Sequence, residues 1–318
     1  MDCVVLAGSG HAYKDVKGSN NKAFLTLNGK PIMWYVLNQL IQVERIERIM
    51  ITGPREPIEQ VLAMTPFVER IAEKKSNILV FDDLGDVLNS ALNALEKTGG
   101  IKDPNRWVFV VPSDIPFARK GEVEQFLDRC ELDKYDFFSG VVSSKALSNF
   151  YPTETLPGIK MAYFHTAEED FRISNMHLAR VANIHNLGYL RKTYSMRYLK
   201  KLKNIVWMVF ELSKLCVRIP GAISFFLNAS LTGILYRKGY QRLPNWLRKR
   251  NRIHKPESYI SKILETRFKI VPTDYGAMAL DIDNDTDFDT IRLRFEEWND
   301  LLDRQVGQTH SQDAGEAT

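Results

Sequence analysis

Cysteine is scarce in this chain. The 318 residues contain only Cys3, Cys130 and Cys216, which lie far apart in sequence. No CxxC pair and no Cys/His cluster occurs, so neither a disulfide framework nor a zinc site is expected. A reducing cytoplasm is therefore the expected compartment. The first residues have no basic segment and only a short apolar run, and for that reason we do not expect a signal peptide.

The two best-known glycine-rich phosphate motifs are also missing. A Walker loop needs GxxxxGK[ST], which does not occur here. A dinucleotide-binding turn needs GxGxxG, but Tyr13 stands where the third glycine would follow Gly8 and Gly10. The apolar run at residues 3–7 nevertheless ends in Gly8-Ser9-Gly10. Glycines at a strand end let backbone N–H groups approach phosphate oxygens closely, so a phosphate-binding turn of another kind is predicted.

Apolar, β-rich runs alternate with helical patterns over the first 140 residues. Strands are predicted at 3–7, 46–52, 77–81, 107–112 and 135–142, and helices at 31–42, 57–64, 85–97 and 120–130. This alternation predicts an α/β fold with a mostly parallel, Rossmann-like sheet flanked by helices. The nearly continuous apolar runs agree with strands covered on both faces. Farther on, we predict strands at 159–164, 268–272 and 277–282, and helices at 258–266 and 287–305.

Three stretches together resemble one protein family. They are LAGSGHAY at residues 6–13, KAFLTLNGKP at 22–31, and PSDIPF at 112–117. Their order and spacing resemble the MobA-like NTP-transferase superfamily, nucleotidyltransferases with a nucleotide-diphospho-sugar transferase fold. The resemblance implies that Lys22 contacts the triphosphate and stabilises charge as pyrophosphate leaves. It also implies nucleotide contacts from the first stretch, namely from Leu6, Ala7, Gly8, Ser9 and Gly10. Lys14 is the cation nearest to the position of the family's arginine, which this sequence lacks.

The same resemblance implies a magnesium site made by carboxylates. Asp114 matches the aspartate of the family's GDxP segment, which binds Mg²⁺. The stretch ALDIDNDTDF at residues 279–288 resembles the acidic segment that supplies a second ligand. We favour Asp283 for that role, with Asp281 as the next candidate. Mg²⁺ is typically held by one or two carboxylates plus phosphate oxygens. The alternative for Asp114 is a capping aspartate before a proline turn.

Base and acceptor recognition are assigned to two further stretches. Gly85, Asp86 and Ser90 open a helix at a place where related enzymes contact the nucleobase, and they favour CTP. A capped helix start explains the same residues. FRISNMHLARV, at residues 171–181, resembles the stretch on the acceptor side of the cleft, from which Asn175 is carried over. Lys160 is a candidate for holding the acceptor phosphate.

The resemblance implies a Mg²⁺-dependent reaction. An NTP and a sugar-, polyol- or headgroup-phosphate would give a nucleotide-linked product and pyrophosphate, in lipid or envelope biosynthesis. The acceptor phosphate is already anionic at neutral pH, so no general base is needed. Two alternatives stay open: a nucleotide-sugar glycosyltransferase of the same fold, and an inactive scaffold attached to the membrane.

Residues 190–255 are strongly basic and interrupt the family pattern. They contain sixteen Lys or Arg and one acidic residue, Glu211, whereas the whole chain carries a net charge of only +4. Residues 219–236 have no charge, but eighteen residues only just approach the length that spans a bilayer, about 20. We predict amphipathic or re-entrant helices on an anionic membrane at its cytosolic face. An apolar homodimer interface or a helical subdomain is the alternative. Nothing resembles a nucleic-acid-binding motif.

The expected organisation therefore has three parts. The transferase core comprises residues 1–189 and 256–305. The basic insertion spans 190–255. The polar stretch 306–318 is predicted to be a disordered tail.

Overall fold

The chain folds around an eight-stranded sheet. The computed structural model describes residues 1–8, 15–64, 77–196, 219 and 221–315. The strands are β1 (Asp2–Leu6), β2 (Thr26–Leu27), β3 (Lys30–Pro31), β4 (Arg48–Thr52), β5 (Asn77–Phe81), β6 (Val108–Pro112), β7 (Phe137–Ser143), β8 (Phe164–His165), β9 (Asp170–Ala179) and β10 (Phe268–Thr273). Strands β2 and β3 form a separate short hairpin.

Helices connect the strands and cover the sheet. They are α1 (Ile32–Leu40), α2 (Arg55–Leu62), α3 (Val87–Lys97), α4 (Lys120–Arg129), α5 (Ser144–Leu147), α6 (Leu187–Met196), α7 (Ala222–Arg237), α8 (Arg242–Arg248), α9 (His254–Leu264), α10 (Asp285–Leu293) and α11 (Phe295–Gly315). The central strand β1 is covered on both faces, since successive residues Cys3, Val4 and Val5 are all fully buried.

The strand order is β10-β7-β9-β6-β1-β4-β5, with β8 paired to the outer part of β9. β1 pairs in parallel with both β4 and β6, whereas β9 runs antiparallel between β6 and β7. The chain leaves β1 toward β4 and β5 and then returns to β6 on the other side of β1. This reversal creates a switch point between β1 and β6, where open sheets bind ligands beyond the carboxyl ends of the strands. The prediction of a mostly parallel sheet flanked by helices is confirmed.

Three local predictions differ from the structure. No strand forms at 277–282; a 3-10 helix, Ala277–Ala279, occupies this place after Gly276, whose φ of 100° turns the chain. Of the strand predicted at 159–164, only Phe164 is in a strand, as the first residue of β8. The single helix predicted at 287–305 is two helices, which are separated at Arg294. The Arg294 side chain is buried and donates to the carbonyl oxygens of Tyr151 and Pro157, both at 3.2 Å.

Helix α11 continues to Gly315, ten residues into the stretch for which the sequence predicts disorder. Extending an existing helix costs less free energy than nucleating a new one. Trp298 and Leu302, both fully buried, fix the first turns of α11 on the core and provide that start.

Glu122 holds the turn that precedes the acidic segment. Its fully buried carboxylate accepts hydrogen bonds from Met278 N at 3.0 Å, Gly276 N at 3.2 Å and Thr273 Oγ1 at 3.3 Å. Burial raises the pKa of Glu122 to about 7, although these donors stabilise its charge. Helix α4 thereby fixes the backbone three residues before Asp281.

We expect the Glu122→Gln variant to lose a specific pH dependence of stability. The pKa of this carboxyl is 4.5 in the unfolded chain and about 7 in the folded protein. As the pH rises, the folded state therefore keeps its proton to a higher pH than the unfolded state does. The Glu122 contribution to stability therefore declines between these values and is constant above them. Glutamine cannot ionise, so this decline should be absent in the variant. Its overall stability should fall by about 1–3 kcal/mol, because an amide N–H₂ would face backbone donors. Urea unfolding at about pH 5 and about pH 7 measures both effects.

The matched control is Glu124→Gln on the same helix. The Glu124 side chain is 27% exposed and lies 3.5 Å from Lys120. This variant should retain the decline in stability between about pH 5 and about pH 7, because Glu122 is intact. An unchanged decline in Glu122→Gln would contradict the assignment.

Candidate functional site

A short turn presents Lys22 at the end of β1. Asn21 starts a 3-10 helix, Lys22–Phe24, because its Oδ1 accepts from Ala23 N at 3.0 Å. The other side-chain atom, Asn21 Nδ2, donates to Ala7 O at 2.9 Å. One asparagine side chain thus ties the lysine turn to the residue that follows β1.

Lys22 brings two carboxylates from distant parts of the chain to one point. Its Nζ lies 2.8 Å from Asp114 Oδ2 and 3.7 Å from Asp283 Oδ1. It also donates a short hydrogen bond to Ile282 O. The Lys22 side chain is 10% exposed and that of Asp114 17%, so the ion pair is largely removed from solvent.

Backbone hydrogen bonds explain why these segments meet. Ser113 follows β6, and both its N and its Oγ donate to Leu6 O, at 3.1 and 2.8 Å. One residue later, Asp114 O accepts from Ile282 N at 3.3 Å. The ends of β1 and β6 and the acidic segment are therefore fixed within one hydrogen-bonded group at the switch point of the sheet.

The site holds more negative than positive charge. Burial opposes the charge of Lys22, but Asp114, Asp283 and Asp281 outweigh this effect and raise the pKa of the lysine. Burial also raises the pKa of Asp114; Lys22 opposes this, and Asp281 and Asp283 add to it. The pKa of Asp283 is raised by burial and by Asp281. The carboxylates thus gain from any further cation that enters the site.

Asp281 has a different partner from Asp283. Arg172 on β9 lies 2.8 Å from Asp281 Oδ1 and donates to Ala279 O at 3.1 Å. Asn175 on the same strand has a φ of 55° and donates its side-chain N–H to Met278 O at 3.1 Å. The Asn175 amide therefore holds the backbone before the acidic segment. Within the acidic segment, Asp283 pairs with Lys22 and Asp281 pairs with Arg172.

Asp83 contacts several of the residues that were predicted to bind the nucleotide. A Cβ added at Gly8 would lie 2.6 Å from Asp83 Oδ2, so a larger residue there would displace the carboxylate. Asp83 Oδ1 also accepts from Gly85 N at 2.9 Å and from Ser90 Oγ at 3.2 Å. The end of β1 and the start of α3 are thereby brought together. Asp86 accepts from Asn89 N at 2.8 Å and so caps α3, which is the alternative function the sequence suggested for it.

The other residues predicted for the site make few side-chain contacts there or lie outside the described residues. Ser9, Gly10 and Lys14 lie outside the described residues. Ala7 is buried and Leu6 is the last residue of β1, so these two contribute backbone rather than side chains to the site. Lys160 is exposed and follows the buried Ile159.

The donor set suits a hard divalent cation. Asp114 and Asp283 both contact one ammonium group, so their oxygens face a shared cation position. Within the described ranges, no group of three or more His, Cys, Asp or Glu side chains is arranged to hold a metal ion. Two carboxylates are enough where substrate phosphates complete the shell, as is usual for Mg²⁺.

Sequence reasoning missed three residues that shape the site: Asn21, Asp83 and Arg172. Asn21 carried a signal, because asparagine directly before a short helical turn is a preferred cap. Arg172 lies within the stretch that was singled out for Asn175. Asp83 gave no signal, because its contact with Gly8 depends on strand pairing.

We expect a thermodynamic coupling between Lys22 and Asp114. A double-mutant cycle with Lys22→Met and Asp114→Asn should give a favourable coupling of about 1–3 kcal/mol in the free energy of unfolding, because each single change leaves a partly buried charge without its partner. The control cycle combines Lys22→Met with Asp281→Asn. In the wild type, the Asp281 carboxylate forms an ion pair with Arg172. Its coupling should be smaller. Equal couplings in the two cycles would contradict the geometry.

The chain is similar to known proteins in its fold and in a family-wide sequence pattern. No curated protein matches the chain. Among solved structures, a hypothetical transferase from Thermus thermophilus has a TM-score of 0.61 and 20% identity, covering 90% of this chain and 98% of that chain. A CMP:2-keto-3-deoxy-manno-octonic acid synthetase complexed with CTP has a TM-score of 0.46 and 11% identity, with coverages of 93% and 98%. A 4-diphosphocytidyl-2C-methyl-D-erythritol synthase from Anaerococcus prevotii has a TM-score of 0.45 and 11% identity, with coverages of 93% and 97%.

The family comparison covers the part of the chain that builds most of the site. The MobA-like NTP transferase domain matches residues 3–181, which is more than half of the 318 residues. This range includes β1 from Cys3 onward, the Lys22 turn, the end of β6 and strand β9. The chain therefore belongs to the MobA-like NTP transferase family.

Proposed function

We propose that this protein is a Mg²⁺-dependent nucleotidyltransferase. It joins an NTP, with CTP favoured, to a sugar-, polyol- or headgroup-phosphate and releases pyrophosphate. The observation that carries the proposal is the convergence of Lys22, Asp114 and Asp283 at the switch point between β1 and β6. Ligands of open α/β sheets bind at this place.

The chemistry needs positioning and charge neutralisation. An oxygen of the acceptor phosphate attacks the α-phosphorus of the NTP and forms a new P–O bond. The bond between the α-phosphorus and the bridging oxygen breaks, and pyrophosphate leaves with the electron pair. The acceptor oxygen is already anionic, so no proton has to be removed by the protein.

Lys22 is proposed to neutralise the negative charge of the triphosphate. Its pKa is raised by the surrounding carboxylates, so it stays protonated at neutral pH. Asn21 fixes the turn that carries it, which reduces the reorganisation needed when the nucleotide binds. Asp114 and Asp283 are proposed to hold Mg²⁺ together with phosphate oxygens. The bound ion would supply charge neutralisation at the reacting phosphates.

The two substrates are assigned to opposite sides of this point. The nucleotide lies toward Gly8 and the start of α3, since Asp83 brings these segments together. Gly85 is proposed to contact the base there, and Ser90, which is buried and bonded to Asp83 and Asp86, to hold this segment in place. The acceptor lies toward β9, where Arg172 is the charged side chain that is set closest to the acidic segment. Asn175 and Lys160 are proposed on the same side. The proposed place of action is the cytosolic face of a membrane.

We predict pyrophosphate release from one NTP and one class of phosphate acceptor in the presence of Mg²⁺. Each of the four NTPs would be tested with a panel of sugar, polyol and headgroup phosphates, using a coupled pyrophosphate assay. Asp114→Asn and Lys22→Met should each lower kcat by about 10²–10³, because each removes one electrostatic contact to the transition state. Release that is independent of both residues would argue against the proposed site.

The matched control for Lys22 is Lys30→Met. Lys30 belongs to the same segment, but its Nζ lies 3.5 Å from the centroid of the Trp34 ring, away from the carboxylates. This variant should retain wild-type kcat. If no NTP reacts, and calorimetry shows no binding of Mg²⁺–NTP, the proposal is wrong.

A further inference from the structure

Helix α7 exposes an apolar face. The exposed fractions are 65% for Phe226, 61% for Leu227, 45% for Leu231 and 41% for Ile234. These four residues, named here the α7 apolar face, are spaced so that they project from one side of the helix. Large apolar side chains scattered singly on a surface are ordinary, but a contiguous group marks an interaction site.

The opposite side of α7 is fixed on the protein. Asn228 Nδ2 donates to Leu247 O at 3.1 Å, and Thr232 is fully buried. The ring centroid of Tyr236 lies 4.3 Å from that of His165 on β8. These contacts hold the helix in one orientation, so the apolar face points outward as part of the fold.

The surroundings of this face are positively charged. Residues 221–255 contain eight Lys or Arg and no Asp or Glu. Arg237 and Lys238 are exposed and follow Phe226 and Leu227 by about three helical turns, which continues the same face. Two exposed aromatic residues stand near its C-terminal end, Tyr240 at 58% and Trp246 at 51%. Apolar residues bordered by cations and by Trp or Tyr are the pattern of helices that lie in a membrane interface.

We propose that the α7 apolar face, together with Arg237 and Lys238, docks on an anionic lipid bilayer. Charge complementarity favours this occupant. A second copy of the chain that docked through the same face would bring cations next to cations. Residues 221–255 contain no acidic residue that could pair with them. Across the described residues, every helix is too short or too polar to cross a membrane. The α7 helix, with sixteen residues, therefore lies along the surface with its apolar side chains inserted.

The docking surface is joined to the acceptor side of the candidate site. Arg248, on α8, lies 2.8 Å from Asp170, the first residue of β9. Fully buried Asn251 accepts from Ala167 N through its carbonyl at 3.0 Å and donates to His165 O at 3.2 Å. Strand β9 also carries Arg172. A bilayer bound at α7 would therefore hold β9 in a fixed relation to the lipid surface. The docking surface itself does not depend on the proposed reaction.

The test is sedimentation of the full-length protein with vesicles. One set contains phosphatidylcholine alone, and the other contains phosphatidylcholine mixed with phosphatidylglycerol. We expect the wild type to bind the anionic vesicles much more tightly, and to lose this preference at high salt. The double variant Arg237→Glu/Lys238→Glu should lose affinity by at least about fivefold for each cation removed. Phe226→Ser/Leu227→Ser should lose more than about tenfold.

Matched controls separate this surface from general effects of charge and hydrophobicity. Leu293→Ser changes a leucine that is 64% exposed on α10, compared with 61% for Leu227, and should bind vesicles like the wild type. Lys97→Glu/Lys102→Glu reverses two other exposed lysines and should cost less than Arg237→Glu/Lys238→Glu. Because all these residues are exposed, circular dichroism should show that the variants fold.

Three results would overturn the proposal. One is the absence of vesicle binding by the folded wild type. Another is binding that Phe226→Ser/Leu227→Ser leaves unchanged. The third is a stable dimer by light scattering that this variant dissociates, without any difference between the two vesicle types. Pyrophosphate release with a soluble acceptor is measured without vesicles, so failure of the docking surface and failure of the proposed reaction are distinguishable.

Discussion

The ion pair between Lys22 and Asp114 is the interaction on which the candidate site depends. It joins the turn after β1 to the end of β6, and Asp283 joins the C-terminal part of the chain to the same ammonium. A largely buried ion pair is a poor source of stability, because the desolvation of both charges offsets their attraction. Its position at the switch point of the sheet agrees with the proposed function, in which fixed charges of both signs would meet a nucleotide phosphate and a cation.

The surrounding structure keeps those charges in place with hydrogen bonds to the backbone. Asn21 donates a hydrogen bond to Ala7 O, just after β1, and Ser113 donates one to Leu6 O, at the end of β1. Glu122 and Asn175 hold the backbone that leads to Asp281 and Asp283 from two different elements. The backbone before the acidic segment is therefore held by hydrogen bonds from two elements. Preorganised charge of this kind avoids reorganisation during reaction, which is how electrostatic catalysis gains its effect.

Much of the fold was predictable because its strands are short apolar runs separated by helical periodicity. The strand at residues 77–81 was placed with its observed bounds, and Lys22 and Asp114 were singled out through the family resemblance. The turn at Ala277–Ala279 was not predicted, because an apolar sequence there reads as a strand unless the buried Glu122 carboxylate is known to bind its N–H groups. Arg172 and the contact of Asp83 with Gly8 were missed for the same reason, because Asp281 and Gly8 are remote from them in sequence. The outward direction of the α7 apolar face also depends on tertiary contacts, such as that of Tyr236 with His165.

The central claim is that Asp114 and Asp283 share a cation with the phosphates of a nucleotide beside Lys22. Crystals grown with Mn²⁺ and a non-hydrolysable CTP analogue, measured at an energy where manganese scatters anomalously, test this claim directly. The account predicts an anomalous peak bound by both carboxylates and by phosphate oxygens, with Lys22 Nζ moved onto the triphosphate. A nucleotide bound elsewhere, or a manganese peak that involves neither Asp114 nor Asp283, would contradict it.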